Sequence, residues 1–371
     1  MITIEKPVSF PDTYPLHRLG PLEKLLFFDI ETTGLSGDYS HLYLIGCTYH
    51  RNGSWHLIQW FANTPDSEEA LLTAFFHFLN EFEFVIHYNG DSFDIPYLLK
   101  RCRALSLPYD FSQVVSIDLY KRIKPYRKLL NLENLKQKSV ERFLGINRQD
   151  TYSGGELIPI YEDYLVTRED CLYDMLMLHN KEDLEGMPLI LPILNYPDFL
   201  EHDFCLEELH LLITDTHSAN VHSATSAASP GSHTLSLYLK SPYKVPVPFH
   251  YTTDLCGMDV QDQQLCLNIF LFEGTLKYFY PNCKDYYYLI YEDTAVHKSI
   301  GEYVEKSARK RATPQTCYTK KSGLFLPQPI PLWEPALKKE YRDKMAYTEY
   351  SPALFEDHAR LNRYLRTLLD T

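Results

Sequence analysis

The feature that most constrains this chain is the run Phe27-Phe28-Asp29-Ile30-Glu31-Thr32-Thr33-Gly34-Leu35. Its apolar start, residues 25–30, is typical of a buried strand. Asp29 and Glu31 are two residues apart, so in a strand their side chains point to the same face. Burying two carboxylates together is costly unless their charge is compensated. Hard oxygen ligands suit Mg²⁺ or Mn²⁺, so the run predicts a metal site at the end of a strand.

The residues after this strand are candidate contacts for a phosphate. Thr32, Thr33 and Gly34 turn the chain and offer hydroxyls and backbone N–H groups, and Leu35 completes the set of candidate substrate-binding residues. An isolated pair of acids two residues apart is more often an exposed strand end. The context of a strand, two carboxylates and a Thr-Thr-Gly turn favours the metal interpretation here.

A second motif, His87-Tyr88-Asn89-Gly90-Asp91-Ser92-Phe93-Asp94, follows a predicted strand at 84–87 and opens a predicted helix at 93–105. Asp94 then lies in the first turn of the helix and points a third carboxylate toward the end of the sheet. Asn89 can hydrogen-bond to the backbone or to substrate. Capping of the helix by Ser92 or Asp94 is the alternative explanation. Asp118, on a predicted strand at 114–119, is a candidate supporting residue.

A third motif, His179-Asn180-Lys181-Glu182-Asp183, lies on a predicted helix at 169–184. His179 and Asp183 are four residues apart and therefore share one helix face. An imidazole beside a fourth carboxylate can orient or deprotonate a water molecule that a metal has acidified. A surface His–Asp pair is the alternative for this helix taken alone. Glu182 is expected to be solvated.

The three motifs FDIETTGL, HYNGDSFD and HNKED resemble, in the same order, those of the DEDD superfamily of 3′-5′ exonucleases, which has a ribonuclease-H-like fold. The chain looks closest to the predicted-exonuclease branch of bacterial proteins and is also similar to the proofreading domain of family B polymerases. The resemblance covers residues 22–195 and leaves the C-terminal half unassigned.

The resemblance implies a role for each acidic residue. Asp29 would bridge two divalent metal ions, Mg²⁺ or Mn²⁺, while Glu31 and Asp183 would hold the ion on the nucleophile side and Asp94 the other. His179 would position the attacking water. In the superfamily a catalytic Tyr usually stands four residues before the last Asp, whereas members that use a catalytic His usually have it five residues before. This chain has a His at the four-residue spacing that is usual for Tyr.

These expectations predict a metal-dependent 3′-5′ exonuclease that hydrolyses phosphodiester bonds of DNA or RNA by a two-metal mechanism. The partner would be a nucleic acid with a single-stranded end. Two alternatives remain open: a catalytically silent nucleic-acid-binding module on a nuclease fold, and a structure-specific endonuclease. No residue indicates recognition of a ribose 2′-hydroxyl, so the sequence does not distinguish a DNA substrate from an RNA substrate.

The order of predicted elements indicates an α/β fold, a ribonuclease-H-like mixed five-stranded sheet flanked by helices, followed by a smaller α+β domain. We expect an N-terminal extension at 1–21, the nuclease domain at 22–196, a connector and flexible linker at 197–234, and an accessory domain at 235–371.

Two features of the accessory region bear on its role. The basic stretch at 306–311 can track a phosphate backbone or form the solvated face of a predicted helix at 295–309. The run Tyr286-Tyr287-Tyr288 is more typical of strand packing than of a stacking platform. A second helix is predicted at 354–369.

The net charge of −13 argues mildly against tight nonspecific binding of duplex nucleic acid, but not against a nuclease whose metal ions supply the local positive charge. The eight cysteines form no C-x-x-C pair, which is typical of reduced thiols rather than a structural zinc site. No signal peptide or membrane span is apparent, so we expect a cytoplasmic protein.

Overall fold

The structure is a computed structural model that describes residues 1–149, 152–213 and 233–369. The chain divides into two compact units. Unit 1 comprises Met1–Asp198 together with Val245–Val247, and unit 2 comprises Phe199–Lys244 together with Pro248–Thr371.

Unit 1 is an α/β structure built on one mixed sheet. Its strands are β1 (Ile2–Val8), β2 (Leu25–Thr32), β3 (Leu42–Arg51), β4 (Ser54–Phe61), β5 (Phe84–His87) and β6 (Val115–Asp118). The helices up to residue 201 are α1 (Glu68–Leu79), α2 (Asp94–Ala104), α3 (Leu119–Ile123), α4 (Gln137–Phe143), α5 (Gly154–Thr167), α6 (Asp170–Ile190) and α7 (Asn195–Glu201).

The sheet has the strand order β1-β4-β3-β2-β5-β6. Strands β1, β4, β3 and β2 pair antiparallel, and β2, β5 and β6 pair parallel. Because parallel strands end at the same sheet edge, the residues that follow β5 lie beside the end of β2. This topology brings Asp94, at the start of α2, toward Asp29 and Glu31 on β2.

The sheet has six strands where the sequence analysis predicted five. The added strand, β1, comes from the segment predicted to be an N-terminal extension and pairs with β4 along its whole length. Its residues alternate between half-buried and exposed, the pattern of an edge strand with one solvated face. Pro7 obscures this pattern in the sequence, although proline is tolerated on an edge strand.

Helix α5 is an element that the sequence analysis did not predict. It begins with a capping box in which the Ser153 hydroxyl and Glu156 carboxylate satisfy the first-turn N–H groups reciprocally. Pro159 lies inside the helix, where proline disfavours helical structure because it has no N–H to donate to the preceding turn.

Helix α6 packs across β2 and β3, and Gly46 permits its close approach. Gly46 pairs with Asp29 across the two strands. A Cβ atom at Gly46 would lie 2.1 Å from Asn180 Oδ1 and 2.4 Å from Leu184 Cδ1, both on α6. The absence of a side chain at position 46 therefore allows the helix to rest directly against the strand.

Unit 2 is rich in β-structure. Its strands are β7 (Cys205–Leu212), β8 (Thr234–Lys240), β9 (Phe249–Thr252), β10 (Cys256–Gln261), β11 (Gln264–Phe270), β12 (Phe272–Phe279), β13 (Tyr286–Leu289), β14 (Thr294–His297), β15 (Arg309–Arg311), β16 (Tyr318–Gln328) and β17 (Ala346–Glu349). They form sheets of order β7-β8-β11-β10-β9, β12-β16-β17 and β14-β13-β15. The unit also contains α8 (Lys298–Gly301) and α9 (His358–Leu369).

Several predictions for the C-terminal half need correction. The interval 197–234 contains strand β7, and its predicted flexible part lies largely at 214–232, outside the described residues. The predicted helix at 295–309 is wrong: it is replaced by β14, the single turn α8 and the start of β15, because Tyr287 and Tyr288 pair with Val296 and Ala295. The predicted helix at 354–369 is confirmed in α9, preceded by a 3₁₀ turn.

None of the helices among residues 1–149, 152–213 and 233–369 combines the length and apolar character needed to cross a bilayer.

Candidate functional site

The acidic residues of the three sequence motifs meet in one cleft of unit 1, with a volume of about 310 Å³. Strand β2, the loop after β5, and helices α2, α5 and α6 each contribute to its wall. The lining residues are Asp29, Ile30, Glu31, Thr32, Gly34, Leu35, Tyr88, Asn89, Phe93, Asp94, Gly154, Gly155, Ile158, His179 and Asp183. All four predicted carboxylates and His179 are therefore brought together.

Asp29 is held by an amide group on helix α6. Asn180 donates from Nδ2 to Asp29 Oδ2 over 2.9 Å, and its own Oδ1 accepts from Gln59 Nε2 over 2.9 Å. Gln59 also donates to the carbonyl oxygen of Met177. These buried hydrogen bonds allow the amide group of Asn180 only one orientation. The amide group in turn fixes the rotamer of Asp29.

The pKa values of Asp29 and Asp94 are both raised in the cleft. Burial, followed by repulsion from Asp183, Glu31 and Asp94, raises the pKa of Asp29 well above its ordinary value. Burial raises the pKa of Asp94 to about 7, although backbone hydrogen bonds from Asp94 and Ile30 favour its charged form. Carboxylates in this arrangement ionise together only when positive charge enters the cleft.

The imidazole of His179 stands between two carboxylates. Its Nε2 lies 3.4 Å from Asp183 Oδ2 and 3.7 Å from Glu31 Oε1, and the residue is buried. The four-residue spacing on α6 gives this geometry, because residues i and i+4 lie one turn apart on the same face. Although His179 has the spacing usual for a Tyr, it reaches the carboxylate cluster.

The outer oxygen of Asp183 is engaged by an arginine that the sequence analysis did not identify. Arg148 donates from Nη1 to Asp183 Oδ1, while its Nε and Nη2 donate to the two oxygens of Glu141 on α4. Glu141 is almost fully buried. Gln137 adds hydrogen bonds to Glu141 Oε1 and to the carbonyl oxygen of Asp183. The side chain of Asp183 is thus tied to α4 through a shared guanidinium.

The predicted substrate-binding residues separate into two groups. Thr32, Gly34, Leu35 and Asn89 line the cleft, and Leu35 is among the most exposed large side chains of the described residues. Thr33 does not line it. The Thr33 hydroxyl accepts from the His41 N–H over 2.9 Å, and the Thr33 N–H donates to the His41 carbonyl oxygen, so the residue closes the loop instead.

The loop between β5 and α2 is shaped by Asp118. Its carboxylate accepts from the N–H groups of Asn89 over 3.0 Å and Asp91 over 3.3 Å. Asn89 adopts a positive φ of 64°, which allows the turn that precedes Asp94. Asp118 therefore supports the site without lining the cleft.

His87, Asp91 and Asp118 also lie close enough to hold a metal ion. In this cluster His87 Nδ1 accepts from the Gly90 N–H over 3.0 Å and Nε2 is 2.8 Å from Ser116 Oγ. Asp91 pairs with Lys121. These bonds already engage both imidazole nitrogens, so the cluster is better described as a hydrogen-bonded brace for the loop.

The N-terminus of α5 forms the part of the wall that the sequence analysis missed. Gly154, Gly155 and Ile158 line the cleft, and a Cβ atom at Gly154 would lie 3.9 Å from Glu31 Oε2. A helix N-terminus presents unpaired N–H groups that favour anions. The sequence signal was the Ser-x-x-Glu pattern of the capping box at 153–156. Arg148 and Asn180 gave no comparable local signal.

The donor set of the cleft fits divalent cations with a preference for oxygen ligands. Asp29, Glu31, Asp94 and Asp183 offer carboxylate oxygens, and Glu31, His179 and Asp183 place ligand atoms within 4.8 Å of one another. Burial raises the pKa values of both Asp29 and Asp94, so their charged forms lack solvation that a bound cation could replace. Hard cations such as Mg²⁺ and Mn²⁺ match such ligands.

Comparison with known proteins places this geometry in context. Residues 26–195 match the RNase_H superfamily. That segment has an RNase H-like fold. The DNA polymerase 1 of Aeropyrum pernix is 29% identical over 90 residues, which represent 24% of this chain and 8% of the polymerase. The chain thus corresponds to only a small part of that relative's length.

A solved structure of the family B DNA polymerase from the hyperthermophilic archaeon Pyrobaculum calidifontis is 18% identical. It aligns with 48% of this chain and 25% of the polymerase chain, with a TM-score of 0.40. The segment that matches the RNase_H superfamily contains every residue that lines the cleft.

Proposed function

We propose that this protein is a metal-dependent 3′-5′ exonuclease that hydrolyses the phosphodiester bond at a single-stranded end of DNA or RNA. The observation that carries the proposal is the convergence of Asp29, Glu31, Asp94 and Asp183, from three separate elements, around one cleft with His179 at its edge. Such a convergence of buried and half-buried carboxylates has no structural benefit by itself, because like charges at close range destabilise the fold.

Two divalent ions, Mg²⁺ or Mn²⁺, would be held by the carboxylates of Asp29, Glu31, Asp94 and Asp183. When bound, they would acidify water and neutralise charge on the phosphate. The chain's own groups set the remaining geometry: Asn180 orients Asp29, and Arg148 holds one oxygen of Asp183 so that the other faces His179.

The hydrolysis forms a bond between a water oxygen and phosphorus and breaks the bond from phosphorus to the 3′ oxygen, which gains a proton and becomes the new 3′ hydroxyl of the shortened strand. His179 Nε2, beside Asp183 and Glu31, accepts or directs the proton of that water. Leu35 and Phe93 supply apolar surface for a terminal base, and the N–H groups at the start of α5 favour the phosphate.

The test is a cleavage assay with the full chain and Mn²⁺ or Mg²⁺ on 5′-labelled single strands of DNA and RNA. A 3′-5′ exonuclease shortens the labelled strand from the far end in single-nucleotide steps and leaves a circular single strand intact. We expect Asp29→Asn and Asp183→Asn to lower the rate by at least about 100-fold. Asp174→Asn, an exposed acid on the same helix, is the matched control.

Three outcomes would replace the proposal. Cutting of the circular strand assigns an endonuclease. Binding without turnover on every substrate assigns a silent module. Equal residual rates in the wild type, Asp29→Asn and Asp183→Asn identify a contaminant.

A further inference from the structure

The sheet of unit 2 with the order β14-β13-β15 carries positive charge beside aromatic rings. Residues 298–321 contain seven Lys and Arg against two Glu, in a chain whose net charge is −13. The predicted solvated helix face does not exist, because Arg309, Lys310 and Arg311 form edge strand β15 and pair with β13. The cations are therefore held in a row by a backbone ladder rather than on a turning helix.

Aromatic residues are interleaved with these cations. The guanidinium of Arg309 lies 4.6 Å from the ring centroid of Tyr287, and the ammonium of Lys310 lies 5.2 Å from that of Tyr288. Adjacent strand residues face opposite sides, so the edge presents cations on both of its faces. The two contacts fix the side chains over the tyrosine run while leaving Lys310 and Arg311 exposed.

Two further tyrosines stand free at one end of this ladder. Tyr291 is 80% exposed and follows Ile290, whose N–H donates to the Ala308 carbonyl oxygen over 3.0 Å. Tyr303 is 91% exposed and follows α8, whose Gly301 carbonyl oxygen accepts from Arg309. Large aromatic rings at this exposure gain little from the fold and are suited to stacking on a ligand.

Part of the positive charge of this region is available to a partner. Lys320 and Lys321 are already neutralised, because they form ion pairs with Asp293 and Glu349, respectively. Within residues 233–369, Lys306, Lys310 and Arg311 form no ion pair with a carboxylate of the described chain. An unneutralised basic row beside exposed aromatic rings matches the charged backbone and stacking bases of a single-stranded nucleic acid.

We propose that Tyr291, Tyr303, Lys306, Lys310 and Arg311 form a basic–aromatic surface that binds single-stranded nucleic acid independently of the catalytic cleft. This inference goes beyond the proposed cleavage reaction, because it concerns metal-free binding by unit 2. The phosphates contact the cations, and bases stack on the two exposed tyrosines.

The test is fluorescence anisotropy of the full chain, in EDTA, with a labelled oligothymidine and an RNA of the same length, about 20 nucleotides. The charge variant is Lys310→Glu/Arg311→Glu. Its control is Lys240→Glu/Lys244→Glu, which makes the same charge change at exposed residues whose surface ion pairs contribute little to stability. We expect about tenfold weaker binding for the charge variant and little change for the control.

The salt dependence identifies phosphate contacts directly. Each contact with a single strand contributes about 0.7 to the slope of log Kd against log salt, so the loss of two should reduce the slope by about 1.4. Tyr291→Ala/Tyr303→Ala should weaken binding about fivefold or more with the slope unchanged, whereas Tyr238→Ala, a half-exposed ring on another sheet, should not.

Wild-type affinity and slope in both double variants would overturn the proposal and leave β15 as an edge strand protected by charge. Binding to phosphatidylserine-containing vesicles without binding to the oligonucleotides would also overturn it, and would assign the surface to lipid. Because no metal is present, absence of cleavage in the earlier assay has no bearing on this result.

Discussion

Arg148 and Asp183 form an ion pair in which the guanidinium takes Oδ1 and leaves Oδ2 facing His179 Nε2 at 3.4 Å. The opposite side of the same guanidinium binds both oxygens of buried Glu141. Burial alone would lower the pKa of Arg148, but these partners raise it, so the side chain stays charged. One cation thereby pairs with a buried carboxylate that does not line the cleft and with a candidate metal ligand.

This pairing predicts separate effects of two substitutions. Arg148→Lys keeps the charge but not the two-sided fork, so Asp183 should lose its orientation and kcat/KM should fall about 10- to 100-fold. Arg148→Gln also leaves the buried charge of Glu141 without a partner. This should lower the free energy of unfolding by about 3–5 kcal/mol. Kinetics and denaturant unfolding measure the two effects.

The double variant Glu141→Gln/Arg148→Gln separates stability from activity. It should recover stability, because no buried charge is left unpaired, yet remain as inactive as the single variant. Arg142→Gln, whose side chain is 71% exposed, is the control. Recovery of activity along with stability would show that Arg148 acts only on the fold.

The pKa of Asp94 predicts how the metal-free protein responds to pH. The folded-state value of about 7 lies above the ordinary 3.8, so the folded state retains a proton that the unfolded state loses. The free energy of unfolding should therefore fall as pH rises from about 4 to about 7. Asp94→Asn should flatten this dependence and raise Tm at pH 8 in EDTA by a few degrees.

Metal ions should reverse the order of thermal stability of the wild type and the Asp94→Asn variant. Mn²⁺ stabilises whichever folded state binds it, so the wild type should gain Tm and Asp94→Asn should gain much less. Asp174→Asn should follow the wild type in both series. A wild-type Tm that is level between pH 5 and 8 in EDTA would contradict the assigned shift.

Replacing His179 should separate proton handling from metal binding. His179→Gln removes the group that accepts a proton but retains bulk and hydrogen bonding, so kcat should fall about 10²- to 10⁴-fold while the affinity for Mn²⁺ changes little. Single-turnover cleavage and Mn²⁺ titration measure the two properties. His77→Gln, on the exposed face of α1, is the control. An unchanged kcat would exclude His179 from the chemical step.

Gly155 offers a way to block the cleft without disturbing the fold. A Cβ atom there meets no other atom within 4 Å, yet the residue lines the cleft. Gly155→Leu should preserve Tm and Mn²⁺ binding while raising KM for an oligonucleotide about tenfold or more, because the side chain occupies space beside the phosphate. Gly145→Leu is unsuitable as a control, because the positive φ of 77° at Gly145 would be strained by a leucine side chain.

A suitable control is Gly53→Asn, at a hairpin turn remote from the cleft in sequence, where asparagine tolerates the positive φ. Equal KM values for the wild type and Gly155→Leu would remove the N-terminus of α5 from substrate binding.

The parts of the site that were predictable from the sequence are those with a local pattern. Asp29 and Glu31 end an apolar strand, Asp94 follows a short strand, and His179 and Asp183 have helical spacing. Each element type could be inferred from its periodicity, and the topology then brought the carboxylates together. The capping box of α5 was also recognisable in the sequence, although Pro159 disfavoured the prediction of a helix there.

The parts that were not predictable depend on long-range contacts. Arg148 and Asp183 are 35 residues apart, and Asn180 and Asp29 are 151 apart. No periodicity links such residues, because their meeting depends on how helices dock on the sheet. The same reason explains the C-terminal half, where residues 294–297, including the β-branched Thr294 and Val296, pair with the tyrosine-rich strand β13 and override weak helical spacing.

The close contact at Gly46 has a consequence for how this site can vary. The distance between the carboxylates of β2 and those of α6 follows from how deeply the helix settles on β3. That depth is set at a position with no functional group at all. A single methyl there would collide with Asn180 and displace the helix. The spacing of the acids is therefore set by a hydrogen atom on the helix-facing side of β3, and an alanine at 46 should widen the cleft while every charged residue remains in place.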